Sequence, residues 1–142
     1  MSIRNKESEI QNLKSEIRNT RMDKNSNRYD LEQRTFQFAK MIREFVRKLP
    51  KSTGNIEDGK QVVRSSGSIG ANYIEANEAL SRKDFLMRIK ISRKEAKESR
   101  YWLRLIDTND NEALDKKRND LIIESTELMN IFGAIINKTK ID

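Results

Sequence analysis

Apolar residues return every three or four positions through four long segments of this chain. That rhythm constrains the fold more than any other feature, because it lays one stripe along one side of a helix. In residues 30–49, Leu31, Phe38, Ile42, Phe45 and Leu49 share a face, Thr35 fills one turn, and Phe36, Met41 and Val46 widen it. Val62, Ser66, Ile69, Tyr73, Ala76 and Leu80 continue the rhythm in the next segment. Phe85, Ile89, Ser92, Ala96, Ser99, Leu103 and Ile106 carry it through a third. Leu114, Leu121, Ser125, Leu128, Phe132, Ile135 and Thr139 carry it through the last, thickened by Ile122, Met129 and Ile136. Helix breakers are scarce: Pro50 is the only proline, and polar stretches at 50–55 and 107–111 separate the segments.

Local signals agree with this division. Asp30 precedes the first stripe as a capping residue, with Gln33 at the partner position. Ser81 and Asp84 form the two ends of another capping box, and Asn55 with Asp58 reads as a third cap. Pro50 discourages helical geometry at Leu49 and so ends its segment. Four helices, each apolar on one face and joined by short connectors, specify an all-α, antiparallel up-down four-helix bundle. The bundle is assigned to residues 29–142. Residues 1–28 form an additional N-terminal helical arm, in which Ile3, Ile10, Leu13 and Ile17 make a thin stripe.

The stretch RSSGSIGANYIEANEA (64–79) raises a separate question, because small residues also build phosphate loops. It lacks GxxxxGK[ST], and no strand precedes it, so neither nucleotide motif fits. The apolar rhythm passes through both glycines in phase, which predicts helix; a kink or turn at 65–70 is the alternative. Each glycine costs about 1 kcal/mol against alanine in a helix. Gly67, Gly70 and Ala71 would then make a flat face where a neighbouring backbone comes close, within a subunit or between subunits.

Composition excludes several chemistries. The chain has no Cys and no His. It therefore has no disulfide, no thiol nucleophile and no imidazole base, and the usual zinc ligands are missing. No run of about 18 apolar residues is present, as a membrane span requires. The N-terminal residues lack the apolar core of a signal peptide. A cytoplasmic protein with no cofactor is expected.

The net charge is +7, and it is unevenly placed. Residues 81–107 hold nine basic and four acidic side chains, an excess of +5, whereas 108–142 are net acidic. Arg88, Lys90, Arg93, Lys94, Lys97, Arg100 and Arg104 are candidates for phosphate contacts, which need no base-reading geometry. The competing reading is a solvated face with local ion pairs, such as Lys94 with Glu98. Tyr101 and Trp102 lie among these cations, either as an exposed stacking platform or as packing residues. Trp102 is assigned to packing, as is Tyr73 with its hydroxyl on a polar partner. Glu75 and Glu78, three apart and near Asn72, suit pairing with basic residues of a neighbouring helix or subunit better than a carboxylate metal site.

Taken together, YDLEQRTFQFAKMIREFVRKLP (29–50), QVVRSSGSIGANYIEANEALSRKDFLMRIKISRKEAKESRYWLRLI (61–106) and the hydrophobic last helix resemble a bacterial four-helix-bundle family. That family includes proteins encoded in intervening sequences of 23S ribosomal RNA genes and accessory variability proteins of diversity-generating retroelements. The resemblance covers about residues 29–140. It implies a homo-oligomer, a pentamer of four-helix subunits with a basic surface. It also implies a non-enzymatic protein that binds RNA or DNA, with a reverse transcriptase partner in the retroelement branch. An adaptor bundle whose basic face meets an acidic protein is the alternative.

Overall fold

The computed structural model describes residues 7–12 and 30–140. A short helical piece, α1 (7–12), precedes four long helices: α2 (Leu31–Arg47), α3 (Thr53–Asn77), α4 (Arg82–Leu105) and α5 (Glu112–Lys140). Neighbours in sequence are neighbours in space. Helix α2 packs on α3, α3 on α4 and α4 on α5, and α2 meets α5 to close the ring. The expected antiparallel four-helix bundle with a helical arm is therefore the observed fold. Of the arm, only 7–12 lie within the described residues; there Ile10 is buried and the Glu9 carboxylate accepts from Arg82 at 3.0 Å. Ile3, Leu13 and Ile17 lie outside the described residues.

The helices start where short polar side chains can satisfy free backbone N–H groups. Asp30 accepts from Gln33 N at 2.8 Å, Ser52 from Asn55 N at 3.1 Å, and Ser81 from Asp84 N at 3.0 Å. Asn111 does the same for Leu114 N at 2.9 Å. Between α4 and α5 the chain reverses through Asn109 and Asp110, with φ of 55° and 59°. Asn and Asp are the residue types, after glycine, that best tolerate this left-handed region.

Asn55 corrects one expectation. It does not cap α3; Ser52 does, and the helix starts at Thr53. The Asn55 side chain is buried and ties two connectors together. Its Nδ2 donates to Pro50 O at 2.9 Å and Asp107 O at 2.7 Å, and its Oδ1 accepts from Asp107 N at 2.9 Å.

The core is formed by the stripes read above, including Phe38, Ile42, Phe45, Val62, Ile69, Phe85, Ile89, Leu103, Leu128 and Phe132. Two expected members are outside it. Phe36 is 56% exposed, because it falls one step beyond the buried edge of α2; Leu80 is 68% exposed, because α3 has already ended at Asn77. Small polar residues replace apolar ones at several points between α3 and α4. The Ser65 and Ser99 hydroxyls lie 2.7 Å apart, and Ser92 Oγ donates to Ile69 O at 2.9 Å. These hydroxyls are buried yet satisfied, so close approach carries no desolvation penalty from an unpaired group.

Candidate nucleic-acid interface

Helix α4 sorts its charges by face. Toward α3 it presents its acids: Glu95 and Glu98 reach Arg64 at 3.3 Å and 3.6 Å. Glu98 is thus engaged by α3, not by Lys94 one turn earlier as the sequence spacing suggested. Arg88 lies on this side too, donating to Asn72 Oδ1 at 3.0 Å. Glu95 is almost fully buried. Desolvation, followed by the adjacent Glu98 carboxylate, pushes its pKa up, and the opposing pull of Arg64 is smaller.

Toward α5 the same helix presents cations. Arg100 Nη1 donates to Thr126 Oγ1 at 3.4 Å, and the Arg93 Nε lies 3.7 Å from where a Cβ on Gly133 would stand. Lys97 and Arg104 follow Arg93 and Arg100 by four residues and so share that side. Lys90 lies one turn before Lys94, and Lys94 one turn before Lys97, so both border the row. Among the described residues, Lys90, Arg93, Lys94, Lys97 and Arg104 have no carboxylate within ion-pair distance.

Helix α5 does not neutralise this row. Thr126 and Gly133 belong to a face that continues, at helical spacing, through Asn119, Ile123, Asn130 and Asn137, all uncharged. Glu124 and Glu127, on either side of Thr126 in sequence, point elsewhere. Glu124 takes a two-pronged contact from Arg34 of α2, 2.7 Å at each prong, and Glu127 lies 3.4 Å from the same guanidinium. The α4–α5 side is therefore a strip of fixed positive charge beside uncharged groups. It can attract polyanions, and it has nothing base-specific to read a duplex edge with.

The other predicted residues fall into two groups. Gly67, Gly70 and Ala71 face α2 and help line a groove of about 600 Å³ with Phe36, Lys40 and Ile74. Gly70 sits hard against Thr35, while a Cβ on Gly67 would meet only the end of Arg43, at 3.4 Å. Tyr73 is buried, its ring centroid 5.9 Å from that of Phe132. Glu75 and Glu78 are exposed and pair with no basic side chain among the described residues. Trp102 packs on the edge of the core, its Nε1 buried without a hydrogen-bond acceptor among the described residues. Tyr101 is 56% exposed.

No group of three or more acidic side chains among the described residues could hold a metal ion. No helix among them is long and apolar enough to cross a membrane.

A comparison with solved structures aligns the chain with a protein of unknown function from the S23 ribosomal protein family of Bacteroides thetaiotaomicron. The two are 31% identical, the alignment covers 75% of this chain and 94% of that one, and the TM-score is 0.65. A comparison with curated proteins gives no match. The family model described as 23S rRNA-intervening sequence protein matches residues 27–133, from just before α2 to near the end of α5. With its four-helix domain covered by that match, the chain belongs to the 23S rRNA-intervening sequence protein family.

Proposed function

We propose that this protein is a non-enzymatic, cytoplasmic nucleic-acid-binding bundle that holds RNA or DNA by its phosphates along the α4–α5 side. The observation that carries the reading is the row Arg93, Lys97, Arg100 and Arg104, flanked by Lys90 and Lys94 and faced by an uncharged strip of α5. Cations of a merely solvated face would alternate with acids at one-turn spacing. Here the acids of α4 are drawn to Arg64, on the opposite side.

The same reading has the subunits assemble into a homo-oligomer, a pentamer in line with the family resemblance. The outer seam between α2 and α3 supports it, because Phe36, Ile56 and Ile74 are all large, apolar and exposed there. Association with ribosomal RNA, or delivery of a nucleic acid to a reverse transcriptase, are the two settings in which such an accessory would act.

Fluorescence anisotropy with labelled RNA and DNA across a salt series tests the proposal. The expected result is a complex at low salt whose affinity falls steeply as salt rises. Lys97→Glu with Arg104→Glu should abolish it, since each reversal swaps an attraction for a repulsion. Absence of any complex at low salt would overturn it. So would a complex indifferent to the double reversal, and pull-down of an acidic protein that survives nuclease treatment would then favour the adaptor role. Light scattering on the same sample reads the assembly state.

A further inference from the structure

We infer that Tyr101 is a stacking platform for an unpaired base, which makes the α4–α5 side a single-strand binding face rather than a duplex clamp. The inference rests on the phosphate-binding reading above and adds to it the class of nucleic acid.

Three observations carry it. Tyr101 is exposed, as Phe36 is on α2, but of the two it is the one that lies on α4 among the cations. It stands within the cationic row, one turn after Lys97 and one turn before Arg104 on the same helix, where side chains are about 5–6 Å apart at Cβ. And its ring is braced: Trp102, packed on the core, makes a T-shaped contact with it at 5.1 Å between centroids and 76° between planes. In a T-shaped contact at least one face of the tyrosine ring stays clear of the indole. The open face is thus held in place before any ligand arrives, so little side-chain freedom is lost on binding.

The chemistry selects the ligand. A base in a duplex is already stacked on both sides and offers its π-face to nothing outside. An unpaired base offers that face to an aromatic ring, while its neighbouring phosphates reach the cations on either side. Lys97 and Arg104 flank the ring and suit this arrangement. Tyr101 makes no demand on base identity, so the face is expected to tolerate any sequence.

The test uses the full chain and two probes of equal length at one salt concentration: a labelled unstructured oligonucleotide (oligo-dT or oligo-U) and a labelled duplex. Tyr101→Phe keeps the ring and should bind both probes as the parent does. Tyr101→Ala should weaken the oligonucleotide by about 10-fold or more and the duplex by less than about twofold, with an unchanged salt slope. Because the residue is exposed and gives up its contact with Trp102 alone, this variant should stay folded, its melting temperature lower by no more than a few degrees. Equal losses on both probes, or none on either, would overturn the inference while Lys97→Glu with Arg104→Glu still abolished binding. If the parent bound neither probe, the phosphate-binding reading itself would fall, and the stacking role with it.

Discussion

Gly70 on α3 lies so close to Thr35 on α2 that a Cβ placed on the glycine would stand 2.8 Å from the Thr35 hydroxyl and 3.3 Å from its Cβ. The threonine cannot turn away freely, because it is β-branched and its hydroxyl donates to Glu32 O at 2.9 Å. Gly70→Ala should therefore destabilise the protein. Overpacking costs about 1–3 kcal/mol, against a helix-propensity gain of about 1 kcal/mol. Urea denaturation should show a net loss, and Thr35→Ala in the same chain should reverse part of it. Gly54→Ala, with nothing among the described residues within 4 Å, should be neutral or stabilising.

Asn55 makes the second prediction. It joins the α2–α3 connector to the α4–α5 connector with three hydrogen bonds from a buried position. Asn55→Ala should cost about 2–3 kcal/mol, since it strands backbone groups of Pro50 and Asp107. Asn55→Asp should be no better, because a carboxylate would face the two carbonyls that the amide now serves. Thermal melts of the two variants check both statements; wild-type stability in Asn55→Asp would contradict the bonding described.

The seam between α2 and α5 is the least extensive of the four, and Arg34 is its polar clasp. Hydrogen bonds to Glu124, with the charges of Glu124 and Glu127, outweigh the cost of burial and raise the Arg34 pKa, so it stays charged at any working pH. Removing it with Arg34→Ala should cost about 2 kcal/mol, because the pair is part-buried and charge-assisted. Arg34→Lys keeps the charge and loses the fork, so it should recover only part. A double-mutant cycle with Glu124→Gln measures the pair directly.

Glu95 gives a pH-dependent prediction. Its carboxyl binds a proton more tightly in the fold than in the unfolded chain, because burial and Glu98 raise its pKa. The associated stability is fully present below the unfolded pKa and fades as pH rises through the folded one. Glu95→Gln mimics the protonated form. It should raise the melting temperature relative to the parent at pH 8, and the difference should shrink toward pH 4. A difference independent of pH would show that Glu98 and burial do not govern this group.

Much of this was legible in the sequence, and the illegible part has a common cause. Capping at Asp30 and Ser81 is local, decided within three residues, and both caps formed as the spacing suggested. Stripe centres such as Ile42, Ile89 and Leu128 were equally plain. Phe36 was not, because the width of a stripe depends on how neighbouring helices wrap around it. The partner of Asn55 lies 52 residues away, beyond any local pattern. In the candidate interface, the spacing of Arg93, Lys97, Arg100 and Arg104 already aligned them. What the spacing could not reveal was that Arg64, from another helix, gathers Glu95 and Glu98, or that α5 turns an uncharged strip toward the cations.

That division of charge across a single helix has a physical consequence at long range. With Glu95 and Glu98 answered by Arg64 on one flank of α4, and Lys97 and Arg104 without carboxylate partners among the described residues on the other, the helix's excess positive charge sits on one side of the subunit. A charged polymer nearby exerts a torque on it before any contact is made, turning the Lys97 flank inward. Collisions are thereby aligned in advance, and the benefit shrinks once mobile ions shorten the reach of the field to about 8 Å at physiological ionic strength.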